Sequence, residues 1–388
     1  MKKTFAITAI ALAASATATG SFAQNYPAPN KNITFVVPFA AGGPTDRVAR
    51  DLAEAMRKPL NATIVIENLG GAGSSIGTAK VANANPDGYT LLVNHIGMST
   101  MPTLYRKLSF DVLKDFEFLG IVNDVPMTVI GRPNLPANNF AELRELINKD
   151  KENINLGHSG LGSAGHLCGL MFQSALNVPM TPVPYKGAAP AITDLMGGTI
   201  DLMCDQTTNT TSQIEAKKVK AYGVTTLEPL KVPALKDLPT LDSQGLKDFN
   251  VTIWHGLYAP KGTPPEVLKS INEALKVAVK DPDFIKKQEG LGAIVVNDQR
   301  VEPEEHKKFV AKEIATWGEV IKANGQFADC SRLCSLIKKP LQPSGGAVFL
   351  SGAGPIAIGL QPQTRSHPCP QQRCGAACLP AVPRADAG

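Results

Sequence analysis

The chain has 388 residues, 43% of them hydrophobic, 6% aromatic and 19% charged. That length has room for two globular domains, and the composition excludes a disordered or collagen-like chain. The formal net charge of +5 sits in residues 330–388, with six Lys or Arg against one acid, so residues 1–329 balance at 33 basic and 33 acidic. A nucleic-acid binder carries its basic excess on the folded face that grips phosphate, so no nucleic-acid partner is expected.

The first element is a leader. Lys2-Lys3 precede an apolar, alanine-rich run from Phe5 to about Ala18, and Ser21-Phe22-Ala23 is a small-x-small cleavage signal before Gln24. Residues 1–23 read as a secretory signal peptide whose apolar core is too short to span a membrane. The mature chain is expected to be exported and soluble.

From Asn32 onward, short β-branched runs alternate with amphipathic segments. The run 33–39 (ITFVVPF) predicts a buried strand. Ala40-Ala41-Gly42-Gly43 then turns, and Pro44 opens a helix carrying Val48, Leu52 and Met56 on one face. Residues 63–67 predict a second strand, Gly70-Gly71-Ala72-Gly73 a turn into a helix over about 74–83, and 89–94 a third strand. The pattern restarts after Pro126. It gives a helix over 140–147, a strand over 154–157, and a Gly160-Leu161-Gly162-Ser163 turn into a helix over 164–175. An extended run over 182–185, a helix over 188–196 and a strand over 200–204 follow, ending at Asp205. Long strands over 117–132 and 249–259 cross between the two units. Thr263-Pro264-Pro265-Glu266 reads as a capping-box helix start, and 303–322 as a long helix stopped by Gly325. Strand, loop and helix in repetition imply parallel sheets with crossover helices.

The cysteines divide as the charge does. Only Cys168 and Cys204 lie in the body, which therefore needs no disulfide framework, while Cys330, Cys334, Cys369, Cys374 and Cys378 crowd the end. Their spacing lacks paired C-x2-C knuckles, so zinc is not expected. The 59 residues of 330–388 hold 15 Pro or Gly and no sustained periodicity, which predicts a disordered tail dispensable to the fold.

Three Gly-rich turns, 41–46, 70–75 and 160–166, each follow a strand and open a helix. Glycine allows close backbone approach, and a helix start offers unpaired N–H groups at a positive dipole end. Converging on one cleft, the three would bind an anion without Arg or Lys. Other chemistries fit worse. Residues 71–77 (GAGSSIG) miss the dinucleotide spacing by one residue, and no strand-end acid follows at the right distance. Gly157-His158-Ser159-Gly160-Leu161 lacks the closing glycine of a nucleophile elbow, and Ser159, His166 and Asp205 stand in the wrong chain order for a hydrolase. An esterase-like enzyme using Ser159 is the alternative reading. His95, His158, His166 and His255 show no metal-ligand spacing and are expected on a polar cleft or surface. No metal and no cofactor are expected.

Six ordered segments carry a resemblance: VPFAAGGPTD (37–46), ENLGGAGSSIG (67–77), ANPDGYTLL (84–92), GHSGLGSAGHL (157–167), VPYKGAAPAITDLMGGTIDLMCD (183–205) and WHGLYAPKGTP (254–264). The chain resembles the periplasmic solute receptors of tripartite tricarboxylate transporters, the Bug receptors. The resemblance implies an α/β fold of the type II periplasmic binding protein class. Two lobes, residues 24–125 with 250–329 and residues 126–249, would close over a ligand cleft. It further implies a monomeric, non-enzymatic periplasmic receptor that binds a small carboxylate and delivers it to integral membrane transporter subunits. By motif match, Phe39, Ala40, Ala41, Gly42, Thr45 and Asp46 would form one wall, extended by Asn68, Gly71, Ser74 and His95. Ser159, Gly162, Ser163 and His166 would supply the facing anion turn and Asp205 its floor. An acid there suits an ordered water or a ligand amino group better than a bare carboxylate. Lys186 would either touch ligand or shape its lobe. The chain departs from the family at Leu69-Gly70, where Arg-Pro is usual, and after Asp329, where the resemblance implies an end within a few residues. Residues 330–388 therefore read as a shifted frame or read-through rather than a genuine appended segment.

Overall fold

The structure, a computed structural model, describes residues 26–323. The expected signal peptide, the tail with its five cysteines and the expected Gly325 stop lie outside the described residues. The chain opens with three β-branched strands: β1 (Ile33–Val37), β2 (Ile64–Asn68) and β3 (Thr90–His95). They pair in parallel with β1 in the middle. Between the first two runs α1 (Pro44–Leu60), which turns Val48, Leu52 and Met56 fully into the core. Its stop is Asn61, held left-handed at φ 48°. Asn tolerates that region because its short polar side chain bonds locally. A single 3₁₀ turn leads into α2 (Ser75–Ala82), and α3 (Gly97–Leu104) follows β3.

A 16-residue strand, β4 (Phe116–Gly131), then runs through the molecule. Its first half pairs antiparallel with β9 (Thr252–Pro260), which also pairs antiparallel with β3. Its second half pairs antiparallel with β7 (Leu202–Gln206) and β8 (Lys220–Val224). Next to β7 lie β5 (Asn155–His158) and β6 (Thr181–Pro184), both parallel to their neighbours. The ladder order among the described residues is β2-β1-β3-β9-β4-β7-β5-β6, with β8 and a short β10 (Ile294–Val295) also on β4. The change of partners on β4 falls at Pro126, whose ring nitrogen has no proton to give. There Thr225 bridges: its hydroxyl oxygen accepts from Met127 N at 2.9 Å and the hydroxyl donates to Val251 O at 2.6 Å. Of the two long strands read from the sequence, β4 alone pairs on both sides of this point.

The helices of the second half are α4 (Phe140–Asp150), α5 (Ala164–Leu176), α6 (Ala188–Gly197) and α7 (Thr207–Glu215). The chain then returns through β9 to α8 (Pro265–Ala278), α9 (Pro282–Glu289) and α10 (Pro303–Ala323). The capping box at 263–266 does not form. Pro264 occupies the N-cap with no side-chain cap, and the Thr263 hydroxyl donates to Pro260 O at 2.8 Å. A disulfide joins Cys168 on α5 to Cys204 on β7, a pairing that suits an oxidising compartment.

Candidate functional site

The β1–α1 turn is organised by Asp46. Its carboxylate accepts from the Gly42 N–H at 2.8 Å, Arg50 Nε at 2.9 Å and Asn68 Nδ2 at 2.9 Å. Burial raises the Asp46 carboxyl, and these donors more than offset it, holding the group below the ordinary carboxylate range. The Asn68 amide also donates to Phe39 O at 3.2 Å, which ties the first turn to the end of β2. The first intrahelical bond of α1 runs from Arg47 N to Gly43 O at 3.1 Å, so the N–H groups of Thr45 and Asp46 stand ahead of it.

The second turn is strained in a way only glycine relieves cheaply. Gly73 sits at φ 56°, and a Cβ there would lie 1.8 Å from Leu161 O. Ser74, buried, follows at φ 88° and donates to Met101 Sδ at 3.6 Å. The third turn ends in the N-cap Ser163, whose Oγ accepts from His166 N at 3.4 Å.

The three turns meet. Tyr105 Oη spans the second and third, contacting Ala72 O at 2.7 Å and Leu161 O at 3.3 Å, and the Thr100 hydroxyl donates to Gly162 O at 2.9 Å. The first turn reaches the second half through Ala40 N, which donates to Lys186 O at 3.3 Å. A Cβ at Gly70 would fall 2.7 Å from that same Lys186 oxygen and 3.2 Å from Ala40 N. Phe39, Ala40, Gly42, Asp46, Asn68 and Gly70 thus share one edge, with Ala41 and Gly42 exposed. Several turn N–H groups are already used inside the protein, including those of Ala40, Gly42, Gly160 and Gly162.

Of the cleft or surface expected for the histidines, burial rules out the surface: His95 is 1% exposed, His158 2%, His166 5% and His255 0%. They stand in pairs, His158 with His166 at 4.7 Å between ring centroids and His95 with His255 at 5.9 Å. Phe39 stacks on His95 at 4.6 Å. Three accept a following backbone N–H at Nδ1: His95 from Gly97 at 3.0 Å, His158 from Gly160 at 3.2 Å and His166 from Gly162 at 3.2 Å. Each is therefore a neutral ring with its proton on Nε2. Burial lowers His95 to about 3 and His158 to about 4, and burial with the His158 neighbour lowers His166 to about 3. Among the described residues no hydrogen bond joins Ser159, His166 and Asp205, so the geometry of a nucleophilic triad is missing.

Asp205 is 2% exposed at the end of β7. Burial pushes its carboxyl up to about 6 despite hydrogen bonds from Asn209 Nδ2 and the Gln206 N–H. The head of α7 follows at once, and here the sequence reading missed three residues. Gln206 Oε1, Thr207 Oγ1 and Thr208 Oγ1 are buried and have no hydrogen-bond partner among the described residues. The run Gln206-Thr207-Thr208 after a strand-end acid was the available signal: hydroxyls at the start of a helix. No group of three or more His, Cys, Asp or Glu among the described residues is placed to hold a metal ion. A cavity of ≈ 250 Å³ lined by Leu167, Leu170, Met171, Phe249 and Trp317 includes just one residue, Leu167, near these turns.

Known proteins share this fold. Residues 48–326 match the family model described as the tripartite tricarboxylate transporter family receptor. A protein of Agrobacterium vitis from the TAR-I ttuE-ttuC' intergenic region is 45% identical over 298 residues, covering 77% of this chain and 86% of its own. The structure of the periplasmic binding protein BugD superposes with a TM-score of 0.74 at 49% identity, covering 77% of this chain and 99% of that one. MatC from Rhodopseudomonas palustris, solved with bound malate, gives 0.72 at 36% identity, covering 76% and 99%. The expected periplasmic binding protein fold is thereby shown, and the family is one of non-enzymatic solute receptors. The chain belongs to the tripartite tricarboxylate transporter receptor family.

Proposed function

We propose that this chain is an exported periplasmic receptor that captures a small carboxylate and hands it to the membrane subunits of a tripartite tricarboxylate-type transporter. The observation that supports the reading best is the meeting of three Gly-rich turns, each at a strand end and each opening a helix. Helix starts present N–H groups and a positive dipole end to an anion. The surrounding charge agrees: Arg50 neutralises Asp46, Asp205 is pushed toward its neutral form, and three neutral rings carry Nε2 protons. Thr45, Ser74, Ser159, Ser163 and the head of α7 add hydroxyls. The lobes on this reading are residues 24–125 with 250–329 and residues 126–249, divided where β4 changes partners. The malate seen in the Rhodopseudomonas palustris relative is a precedent for the ligand class.

Calorimetry and thermal shift against C4–C6 dicarboxylates, citrate, acidic amino acids, nicotinate and aromatic acids test the assignment. Binding in the micromolar range or tighter, about −8 kcal/mol, is expected for at least one compound. Ser163→Trp should abolish it by filling the helix-opening turn. Silence across the whole panel sinks the carboxylate assignment, and unchanged binding by Ser163→Trp places the site elsewhere.

A further inference from the structure

A chain of buried hydrogen bonds leads from the surface of α1, through the two central strands, back to the wall of the site. Asp51 is an acceptor when ionised, and Lys287 and Arg47 beside it favour that form against the burial that raises its pKa. Gln288 can meet a carboxylate only with its amide nitrogen, and Nε2 lies 2.7 Å from Asp51 Oδ2. That leaves Gln288 Oε1 to accept from Asn123 Nδ2 at 2.8 Å. Asn123 Oδ1 then faces His255 Nδ1 at 2.9 Å, and an oxygen acceptor requires a proton on that nitrogen. His255 is fully buried against His95, and burial with that neighbour holds it well below its ordinary range, so the ring is neutral. Its Nε2 is consequently a lone pair, 3.4 Å from Thr45 Oγ1, and the threonine gives its one proton there. Only acceptor capacity remains on Thr45.

We propose that His255, Asn123, Gln288 and Asp51 act as positioning residues that hold Thr45 as a hydrogen-bond acceptor toward the ligand, so that the site selects a carboxylate bearing a hydroxyl or amino group over an unsubstituted diacid. The selection rests on the carboxylate-receptor reading above. The relay does not, because it is a property of the protein by itself. The other described histidines provide the internal contrast: His95, His158, His166 and also His306, which accepts from the Gly120 N–H at 3.0 Å, are all fixed in the opposite tautomer.

The experiment has two arms on the full chain. Long-range ¹H–¹⁵N correlation spectra of the ligand-free protein at neutral pH should show His255 protonated on Nδ1 and His95, His158, His166 and His306 on Nε2. Asn123→Asp, which keeps the acceptor, should retain the Nδ1 proton, and Gln288→Met, which frees the Asn123 amide to turn, should give a mixture. A wild-type His255 protonated on Nε2 overturns the relay, and this holds even where a variant fails to fold. An unchanged His255 signal in folded Gln288→Met overturns the part beyond Asn123. In the second arm, calorimetry compares succinate, L-malate and L-aspartate, which share one skeleton and differ in a single substituent. Malate or aspartate is expected to bind about tenfold or more tighter than succinate, since an unmatched buried acceptor is costly. Succinate binding as tightly as both overturns the role given to Thr45. Absence of binding by all three overturns the carboxylate reading and the selection with it, leaving the relay to be judged by its spectra.

Discussion

Gly73→Ala isolates the meeting of the turns from the stability of either half. A Cβ at this position would lie 1.8 Å from Leu161 O and 2.7 Å from Tyr105 Oη, where ordinary contact begins at 3.4 Å. The neighbour is backbone, so it cannot rotate aside. To relieve the overlap the two turns must part by about 1.6 Å, which takes the Tyr105 hydroxyl out of reach of one carbonyl and strips Thr100 from Gly162. Two hydrogen bonds at about 1 kcal/mol each make this about 2 kcal/mol, or about thirtyfold in affinity for a ligand that needs the turns together. The left-handed backbone, φ 56° and ψ 34°, adds about 1 kcal/mol that falls on the protein with or without ligand. For a body of about 300 residues, at about 2.1 cal/mol/K each, that is a loss of about 1.6 °C in melting temperature. Calorimetry with the tightest binder of the carboxylate panel, beside melting curves of both proteins without ligand, separates the two effects. If the variant melts lower yet binds within threefold of wild type, the ligand does not require these turns to touch.

Three further outcomes follow from burial. Asp205→Asn should stabilise the protein by about 3 kcal/mol at pH 7: the carboxyl keeps its proton to about pH 6 when folded, so its cost is absent below its unfolded pKa of 3.8 and grows as pH rises to about 6. Urea unfolding at pH 3.5 should show no such gain, and an equal gain at both values refutes the cause. Replacing Cys168 and Cys204 together by Ala opens a link across a sequence separation of 36 residues and should cost about 4 kcal/mol in the same assay, with under 1 kcal/mol counting against it. His95, His158 and His166 are depressed in the folded state, so their contribution is complete above pH 6.5 and is lost as pH falls toward 3 to 4. At pH 5 each should remove about 2 kcal/mol. Acid unfolding in the Asp205→Asn background, which silences the opposing carboxyl, should be steep from pH 6.5 downward, and a flat profile to pH 4 contradicts neutral burial.

Local signals carried most of the fold. The β-branched run at 33–37, the Val48-Leu52-Met56 stripe and the glycines at 70–73 and 160–162 each act over a few residues, where periodicity and turn chemistry are decisive. Long-range relations were not legible. The head of α7 hid because Thr207, Thr208, Asn209, Thr210 and Thr211 are weak helix formers, and only packing around them makes a helix there. α3 begins on Gly97 and contains Pro102, both adverse signals. The expected Thr263 cap lost to a nearer carbonyl acceptor at Pro260. The His95–His255 pair depends on strand register: the two face each other because β3 and β9 run antiparallel, and 160 positions of chain separate them. The direction of the bonds around His255 is further removed still, being set by Asp51 at the far end of four contacts.

The Tyr105 phenol gives the protein an optical reporter of its own. It bridges the seam between the second and third turns, and burial there pushes its ionisation far above the ordinary phenol range. Once the seam parts, the same oxygen faces water and ionises near pH 10. Phenolate absorbs in the near ultraviolet where phenol does not, so an alkaline absorbance titration counts this residue with the free tyrosines or with the protected ones. A solute that keeps the seam shut will delay its appearance, and no dye, label or engineered tryptophan is needed to see it.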